Sequence, residues 1–128
     1  MSQDKTRILI VDDAGPVVVL CVNVLQALGY GVKGLSSGEA AIELLRRERF
    51  DLIVLDYRMP GLSGFDVFRE ARALHPSTAV VLVTAHGTPG IVEEAARMGF
   101  DGILLKPFTS EELRLAVEKA LARRPGTS

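Results

Sequence analysis

The chain has 128 residues, of which 48% are hydrophobic, and this suits one compact domain with a substantial core. Its 15 Lys and Arg and 16 Asp and Glu residues give a net charge of −1, so no basic excess indicates binding to nucleic acid or to an anionic membrane. The single cysteine, Cys21, excludes an internal disulfide and favours a reduced, cytoplasmic setting, and no apolar run approaches the ~20 residues of a membrane span.

The first predicted strand delivers two acidic residues. Residues 7–11 are apolar after the first position and end at Asp12 and Asp13. Adjacent acids repel each other, so turn chemistry alone is a poor explanation for them. A helix is predicted over residues 15–28, because Pro16 suits its first turn and Gly29 its end.

The central part of the chain contains a weak strand, a helix and a strongly apolar strand. Residues 30–35 predict an edge strand, and Ser36 with Glu39 predicts a capping box for a helix that ends near Arg49. Residues 52–55 are apolar at every position, which is typical of a strand covered on both faces, and they end at Asp56.

The second half repeats the alternation of helix and strand. Ser63 and Asp66 predict the cap of a helix that ends at His75, and Thr109 with Glu112 predicts the cap of the last helix. Between them, the sequence predicts strand 79–83 before Thr84, helix 88–98 closed by Gly99, and strand 101–105 before Lys106.

Five strands that alternate with five helices predict an α/β fold, a doubly wound parallel sheet with helices on both faces. We expect the strand order 2-1-3-4-5. The predicted organisation is a short extension at 1–6, one domain at 7–122, and a tail or the start of a linker at 123–128.

The polar residues that follow the strands are the candidate site. In the predicted order, Asp12, Asp13 and Asp56 meet at the carboxyl edge of the sheet, with Thr84 and Lys106 beside them. Three carboxylates so close require neutralisation beyond one lysine. Oxygen ligands without His or Cys favour a hard divalent cation, Mg²⁺ or Mn²⁺, over zinc.

With that cation bound, Asp56 is a plausible nucleophile toward a phosphoryl group, and the product would be an aspartyl phosphate. Lys106 would neutralise one phosphoryl oxygen and Thr84 would donate a hydrogen bond to another.

Four motifs resemble the receiver domains of two-component response regulators, over nearly the whole chain. They are VDD ending at Asp13, LDYRMPGLSG from Leu55, VTA around Thr84 and LKPF around Lys106. The resemblance implies a flavodoxin-like receiver fold with a cis peptide bond before Pro107. It also implies a magnesium site formed by Asp13, Asp56 and the main-chain carbonyl of Arg58, which Asp12 supports through water.

The resemblance further implies a phosphoryl donor and an output surface. The donor would be the phosphohistidine of a sensor histidine kinase or a phosphotransfer protein, and phosphorylation would alter the face made by helix 4, strand 5 and helix 5. Arg58 and His86 stand where the family tunes the lifetime of the phosphoryl group. Ile103 stands where many receivers have Tyr or Phe, so the usual coupled movement of threonine and aromatic ring is not available.

Three alternatives remain open from the sequence. The chain could be the receiver of a hybrid kinase or of a phosphorelay and act as a relay or sink for phosphoryl groups rather than as a switch. It could be an Asp-nucleophile phosphohydrolase, although Asp56 lacks the second aspartate two residues on that such enzymes use. It could be a flavin carrier, although Asp12 and Asp13 would repel the flavin phosphate. Self-catalysed phosphoryl transfer aside, no turnover enzyme is indicated; the downstream partner and homodimer formation stay open.

Overall fold

The computed structural model describes residues 5–123, which form one parallel sheet with helices on both faces. The strands are β1 (Arg7–Val11), β2 (Gly31–Leu35), β3 (Leu52–Asp56), β4 (Ala79–Thr84) and β5 (Gly102–Leu105), in the order β2-β1-β3-β4-β5. The helices are α1 (Gly15–Ala27), α2 (Gly38–Leu45), α3 (Gly64–Leu74), α4 (Pro89–Met98) and α5 (Ser110–Arg123). All four strand pairings are parallel, so the predicted fold class and strand order are confirmed.

The core lies on the two faces of this sheet. One buried cluster joins alternate strand residues to α2, α3 and α4, and the other joins the remaining strand residues to α1 and α5. Every residue of β3 and β4 is buried, which explains why these two strands are apolar almost throughout. Cys21 is buried on the face of α1, as a small apolar residue would be.

The edge strand β2 depends on a glycine for its contact with α1. A Cβ on Gly34 would lie 2.4 Å from Cγ1 of Val18. The glycine therefore lets the β-branched run of α1 pack directly on the edge of the sheet. The helix thus gains burial from residues whose intrinsic preference is for strands.

Two of the predicted capping boxes are present. Ser63 accepts from the amide of Asp66, whose carboxylate accepts from the amide of Ser63, and Thr109 and Glu112 exchange the same two bonds. Gly99 ends α4 with φ of 103°, in the left-handed region that favours glycine.

The prediction for α2 was wrong at both ends. The cap is Ser37, whose side chain accepts from the amide of Ala40 at 3.1 Å, whereas the carboxylate of Glu39 lies against Gly61. The helix ends at Leu45 instead of near Arg49. The chain leaves it early because Phe50 has to enter the core before β3 begins.

Smaller differences occur elsewhere. β2 and β5 each begin one residue later than predicted, and at β5 the reason is that the Asp101 carboxylate accepts from the amide of Val80 at 2.8 Å. α5 includes Arg123, the first residue of the predicted tail. Most of the predicted extension and tail, residues 1–4 and 124–128, lies outside the described part of the chain.

Candidate functional site

Three carboxylates meet at the carboxyl edge of the sheet, where β1 and β3 lie side by side. One oxygen each from Asp12, Asp13 and Asp56 lies within 4.8 Å of the others. Asp12 and Asp56 are only 3% and 5% exposed, whereas Asp13 faces solvent. The cluster is therefore open on one side and buried on the other.

Lys106 reaches this cluster from the end of β5. Its Nζ lies 3.0 Å from Oδ2 of Asp12 and 3.3 Å from Oδ1 of Asp56. The backbone amide of Lys106 donates to the carbonyl of Thr84 at 2.9 Å, and the following peptide bond, to Pro107, is cis. The lysine thus bridges the two buried carboxylates.

Burial and charge perturb the pKa values of these groups. Burial, followed by the negative charge of Asp12, raises the pKa of Asp56 to about 6, against the opposing effect of Lys106. Burial alone would lower the pKa of Lys106, but its hydrogen bond to Asp12 and the charges of Asp12 and Asp56 raise it overall. The single positive charge of Lys106 is therefore not enough to neutralise the three carboxylates of the pocket.

The donor set fits a hard divalent cation. All three candidate side-chain ligands supply carboxylate oxygens, and Asp13 is exposed where a partly hydrated ion could approach. The second oxygen of Asp12 accepts from the amide of Ala14 at 2.9 Å, so Asp12 is already held by the chain on one side and by Lys106 on the other.

Thr84 lies at the end of β4, next to β3, and is buried. The amide of His86 donates to its Oγ1 at 2.9 Å. This bond leaves the hydroxyl hydrogen of Thr84 free to donate elsewhere. The side chain of His86 is exposed, like the rest of the loop that follows Thr84.

A cavity of about 510 Å³ lies beside Asp13, and the loop that follows Asp56 lines it. Arg58 is exposed and lines this cavity together with Asp13. The loop is pressed against α3, because a Cβ on Gly64 would lie 2.5 Å from the carbonyl oxygen of Asp56. Sequence reasoning did not assign this role to Gly64, since a backbone contact leaves no pattern of side chains.

Ile103 does not lie in the acidic pocket. Its side chain is partly buried and packs against the cluster formed with α2, α3 and α4. Of the sequence-predicted residues, the structure gathers the three carboxylates, with Lys106 in contact with Asp12 and Asp56.

Comparison with known proteins identifies the family. Residues 8–118 match the family model described as the response regulator receiver domain. The chain belongs to this family. The resemblance inferred from the four motifs is thereby confirmed, and receiver domains of this kind are parts of two-component systems.

The similar curated proteins include two regulators that are much longer than this chain and one protein that the match covers almost completely. Regulatory protein LuxO of Vibrio vulnificus is 34% identical over 113 residues, which are 88% of this chain and 25% of LuxO. Transcriptional regulatory protein ZraR of Escherichia coli is 34% identical over 95% of this chain and 28% of its own length. The chain thus spans about a quarter of these regulators. Sporulation initiation phosphotransferase F of Bacillus subtilis is 31% identical over 90% of this chain and 93% of its own.

Solved structures agree with the family assignment. The receiver superposes on chemotaxis protein CheY4 of Vibrio cholerae with a TM-score of 0.86 at 28% identity, covering 91% of this chain and 99% of that one. A CheY-like receiver from Methanospirillum hungatei gives a TM-score of 0.91 at 22% identity, over 98% of this chain and all of that one, which supports the fold alone.

None of the helices in residues 5–123 has the length and apolar character needed to cross a bilayer. The described part of the receiver therefore offers no membrane-spanning helix.

Proposed function

We propose that this receiver accepts a phosphoryl group on Asp56 in a reaction that depends on Mg²⁺. The observation that carries the proposal is the cluster of Asp12, Asp13 and Asp56 with Lys106 in contact with two of the three acids. A buried carboxylate beside a lysine, at the open edge of an acidic pocket, is suited to attack a phosphoryl group whose negative charge needs neutralisation.

In the proposed reaction, a carboxylate oxygen of Asp56 attacks phosphorus. The new P–O bond forms while the P–N bond of the donor phosphohistidine breaks, and the electron pair of that bond returns to the imidazole nitrogen. Lys106 moves from carboxylate to phosphoryl oxygen as charge builds up there. Thr84 donates its hydroxyl hydrogen to a second phosphoryl oxygen, because its Oγ1 already accepts from His86.

The proposed magnesium ligands are Asp13, Asp56 and the main-chain carbonyl of Arg58, with Asp12 supporting the ion through water. Mn²⁺ has the same oxygen preference and is expected to substitute. The bound ion would neutralise the acids and the phosphoryl oxygens, which the single charge of Lys106 does not achieve.

The proposed donor is a sensor histidine kinase or a phosphotransfer protein, and the proposed output surface is the face of α4, β5 and α5. Arg58 and His86 are proposed to set the lifetime of the phosphoryl group, because both are exposed in the loops that flank the pocket. We also propose a cytoplasmic location, which suits the free thiol of Cys21, and a domain that spans about residues 7–122.

A second candidate role is that of a relay or sink for phosphoryl groups. It is favoured by the similarity to sporulation initiation phosphotransferase F over 93% of that protein's length, and by Ile103 in place of a switching aromatic residue. The phosphohydrolase and flavin alternatives have no comparable support, since the matched family is neither.

Intact-mass measurement after incubation with acetyl phosphate tests the proposal. We expect a gain of one phosphoryl mass with Mg²⁺ and none with excess chelator. Asp56→Asn should abolish the gain, whereas Asp51→Asn, which changes an acid at the opposite edge of the sheet, should retain it. A wild-type protein that gains no mass with Mg²⁺, or an Asp56→Asn variant that gains it equally, contradicts the proposal.

A further inference from the structure

Leu105, the last residue of β5, covers the loop that joins β4 to α4. We call residues 85–88 the Thr84 loop. Leu105 is 50% exposed, yet its Cδ2 lies 2.5 Å and its Cδ1 3.2 Å from the position that a Cβ on Gly87 would occupy. The branched end of this leucine therefore rests directly on the backbone of the loop.

The absence of a side chain at Gly87 makes this contact possible. Among the glycines of residues 5–123, those with positive φ are at positions 29, 61 and 99, so Gly87 has a backbone conformation that other residues adopt without strain. What an alanine at position 87 would meet is the side chain of Leu105. Leu105 and Gly87 are complementary in size, because the large side chain at the end of β5 meets a loop residue that has no side chain.

The Thr84 loop is held at its far end by Thr88, which accepts from the amides of Ile91 and Val92 at the start of α4. Residues 85–90 are exposed, and the amide of His86 donates to Thr84 Oγ1 at 2.9 Å. β5 also reaches Thr84 through the amide of Lys106, which donates to its carbonyl. Leu105 thus precedes the residue whose amide bonds to Thr84, and its side chain lies on the loop that orients the Thr84 hydroxyl.

We propose that Leu105 is a positioning residue that holds the Thr84 loop closed over the end of β4. By fixing Gly87, it keeps the His86 amide on Thr84 Oγ1 and so directs the threonine hydrogen toward the pocket. Ile103 lies on the same side of β5 but packs into the buried cluster, whereas the side chain of Leu105 lies against Gly87 of the loop. The consequence for the phosphoryl group rests on the proposed function; the position of the loop does not.

The first test is amide hydrogen exchange of residues 85–88 in the unphosphorylated protein, measured by NMR. Leu105→Ala should speed exchange about fourfold at His86, whose amide is bonded to Thr84 Oγ1, and this factor corresponds to burial of roughly one methylene group. Leu28→Ala is the matched control, because Leu28 is 47% exposed and follows the carboxyl end of α1. Equal exchange in the wild type and Leu105→Ala overturns the proposal.

A double-mutant cycle gives the sharper test. Gly87→Ala should perturb the loop amides when Leu105 is present, because the loop or the end of the leucine side chain has to shift. It should perturb them much less in the Leu105→Ala background, where the new methyl group occupies the space that the leucine leaves. Independent, additive effects of the two substitutions show that the contact does not position the loop.

The decay rate of the phosphorylated protein then tests the consequence for chemistry. Leu105→Ala should lose its phosphoryl group up to about fourfold more slowly, because hydrolysis uses the hydrogen bond that Thr84 donates to the phosphoryl group and the variant directs that hydrogen less well, whereas Leu28→Ala should match the wild type. Faster exchange with unchanged decay overturns the effect on the phosphoryl group. If the wild type accepts no phosphoryl group, the proposed function fails and the exchange experiments still decide the role of Leu105.

Discussion

Replacing Asp56 by Asn should stabilise this receiver when no divalent cation is present. Burial raises the pKa of Asp56 from 3.8 to about 6, which means that ionisation at neutral pH costs the folded state free energy. Two pKa units at 1.36 kcal/mol each set an upper value of about 3 kcal/mol. Because Lys106 loses one of its two carboxylate partners, we expect a net gain of about 1–3 kcal/mol in the free energy of unfolding at pH 7.

The gain should depend on pH in a defined direction. A folded-state pKa above the unfolded value means that Asp56 stabilises the fold below pH 4 and that this stabilisation is lost as the pH rises through about 6. Wild type and Asp56→Asn should therefore have similar stability at pH 4 and diverge up to pH 7.

Urea unfolding in chelator, followed by circular dichroism at several pH values, measures this difference. Glu43→Gln is the control, because Glu43 is an exposed acid on α2 and its removal should leave the pH profile unchanged. Mg²⁺ should narrow the gap by binding the wild type more tightly than the variant. An Asp56→Asn variant that is less stable than the wild type at pH 7 in chelator would refute the electrostatic reasoning.

Substitutions at three further positions test ion pairs and a helix cap of this receiver. Lys106→Met should destabilise the metal-free protein by about 1–3 kcal/mol in urea unfolding, because Asp12 and Asp56 lose a shared cation; addition of Mg²⁺ should restore part of the loss. Asp101→Asn should cost about 2–4 kcal/mol, since its buried carboxylate accepts from the amide of Val80 and pairs with Arg72; an unchanged urea midpoint would argue against that role. Ser63→Ala should cost about 1 kcal/mol through the lost cap of α3, and Ser63→Asp should recover most of it.

The sheet could be predicted because each of its central strands carries one unambiguous signal. Residues 52–55 are apolar at every position, and so short a run, followed at once by a turn with Pro60 and Gly61, favours a strand covered on both faces. The polar residues that follow the strands were then assigned to one edge by topology, since parallel strands end on the same side. The same topology predicts that Asp12, Asp13, Asp56 and Lys106 lie together at that edge, where the structure has them.

The helix boundaries were less predictable because competing local signals look alike. Ser36 and Ser37 both precede the helix, and the sequence pattern favours Ser36 with Glu39, yet Ser37 is the cap because Glu39 turns toward Gly61. The early end of α2 is set by the burial of Phe50, which is a tertiary requirement that propensity does not contain.

The contacts that tune the site left no signal in the sequence. The close approach of Gly64 to the Asp56 carbonyl, and that of Leu105 to Gly87, depend on distances between elements that are far apart in the chain. The raised pKa of Asp56 likewise depends on burial and on the proximity of Asp12, which strand order alone does not quantify. Such features can be identified only from the three-dimensional positions of the side chains.

The location of the phosphoryl group in the phosphorylated protein decides whether Asp56 is the acceptor. The protein would be incubated with acetyl phosphate and Mg²⁺, reduced with borohydride to convert an acyl phosphate into a stable alcohol, digested, and sequenced by tandem mass spectrometry. We expect the side chain of Asp56 to be reduced to the alcohol, with Asp12, Asp13 and Asp51 unchanged. Conversion at another acid, with Asp56 intact, would contradict it.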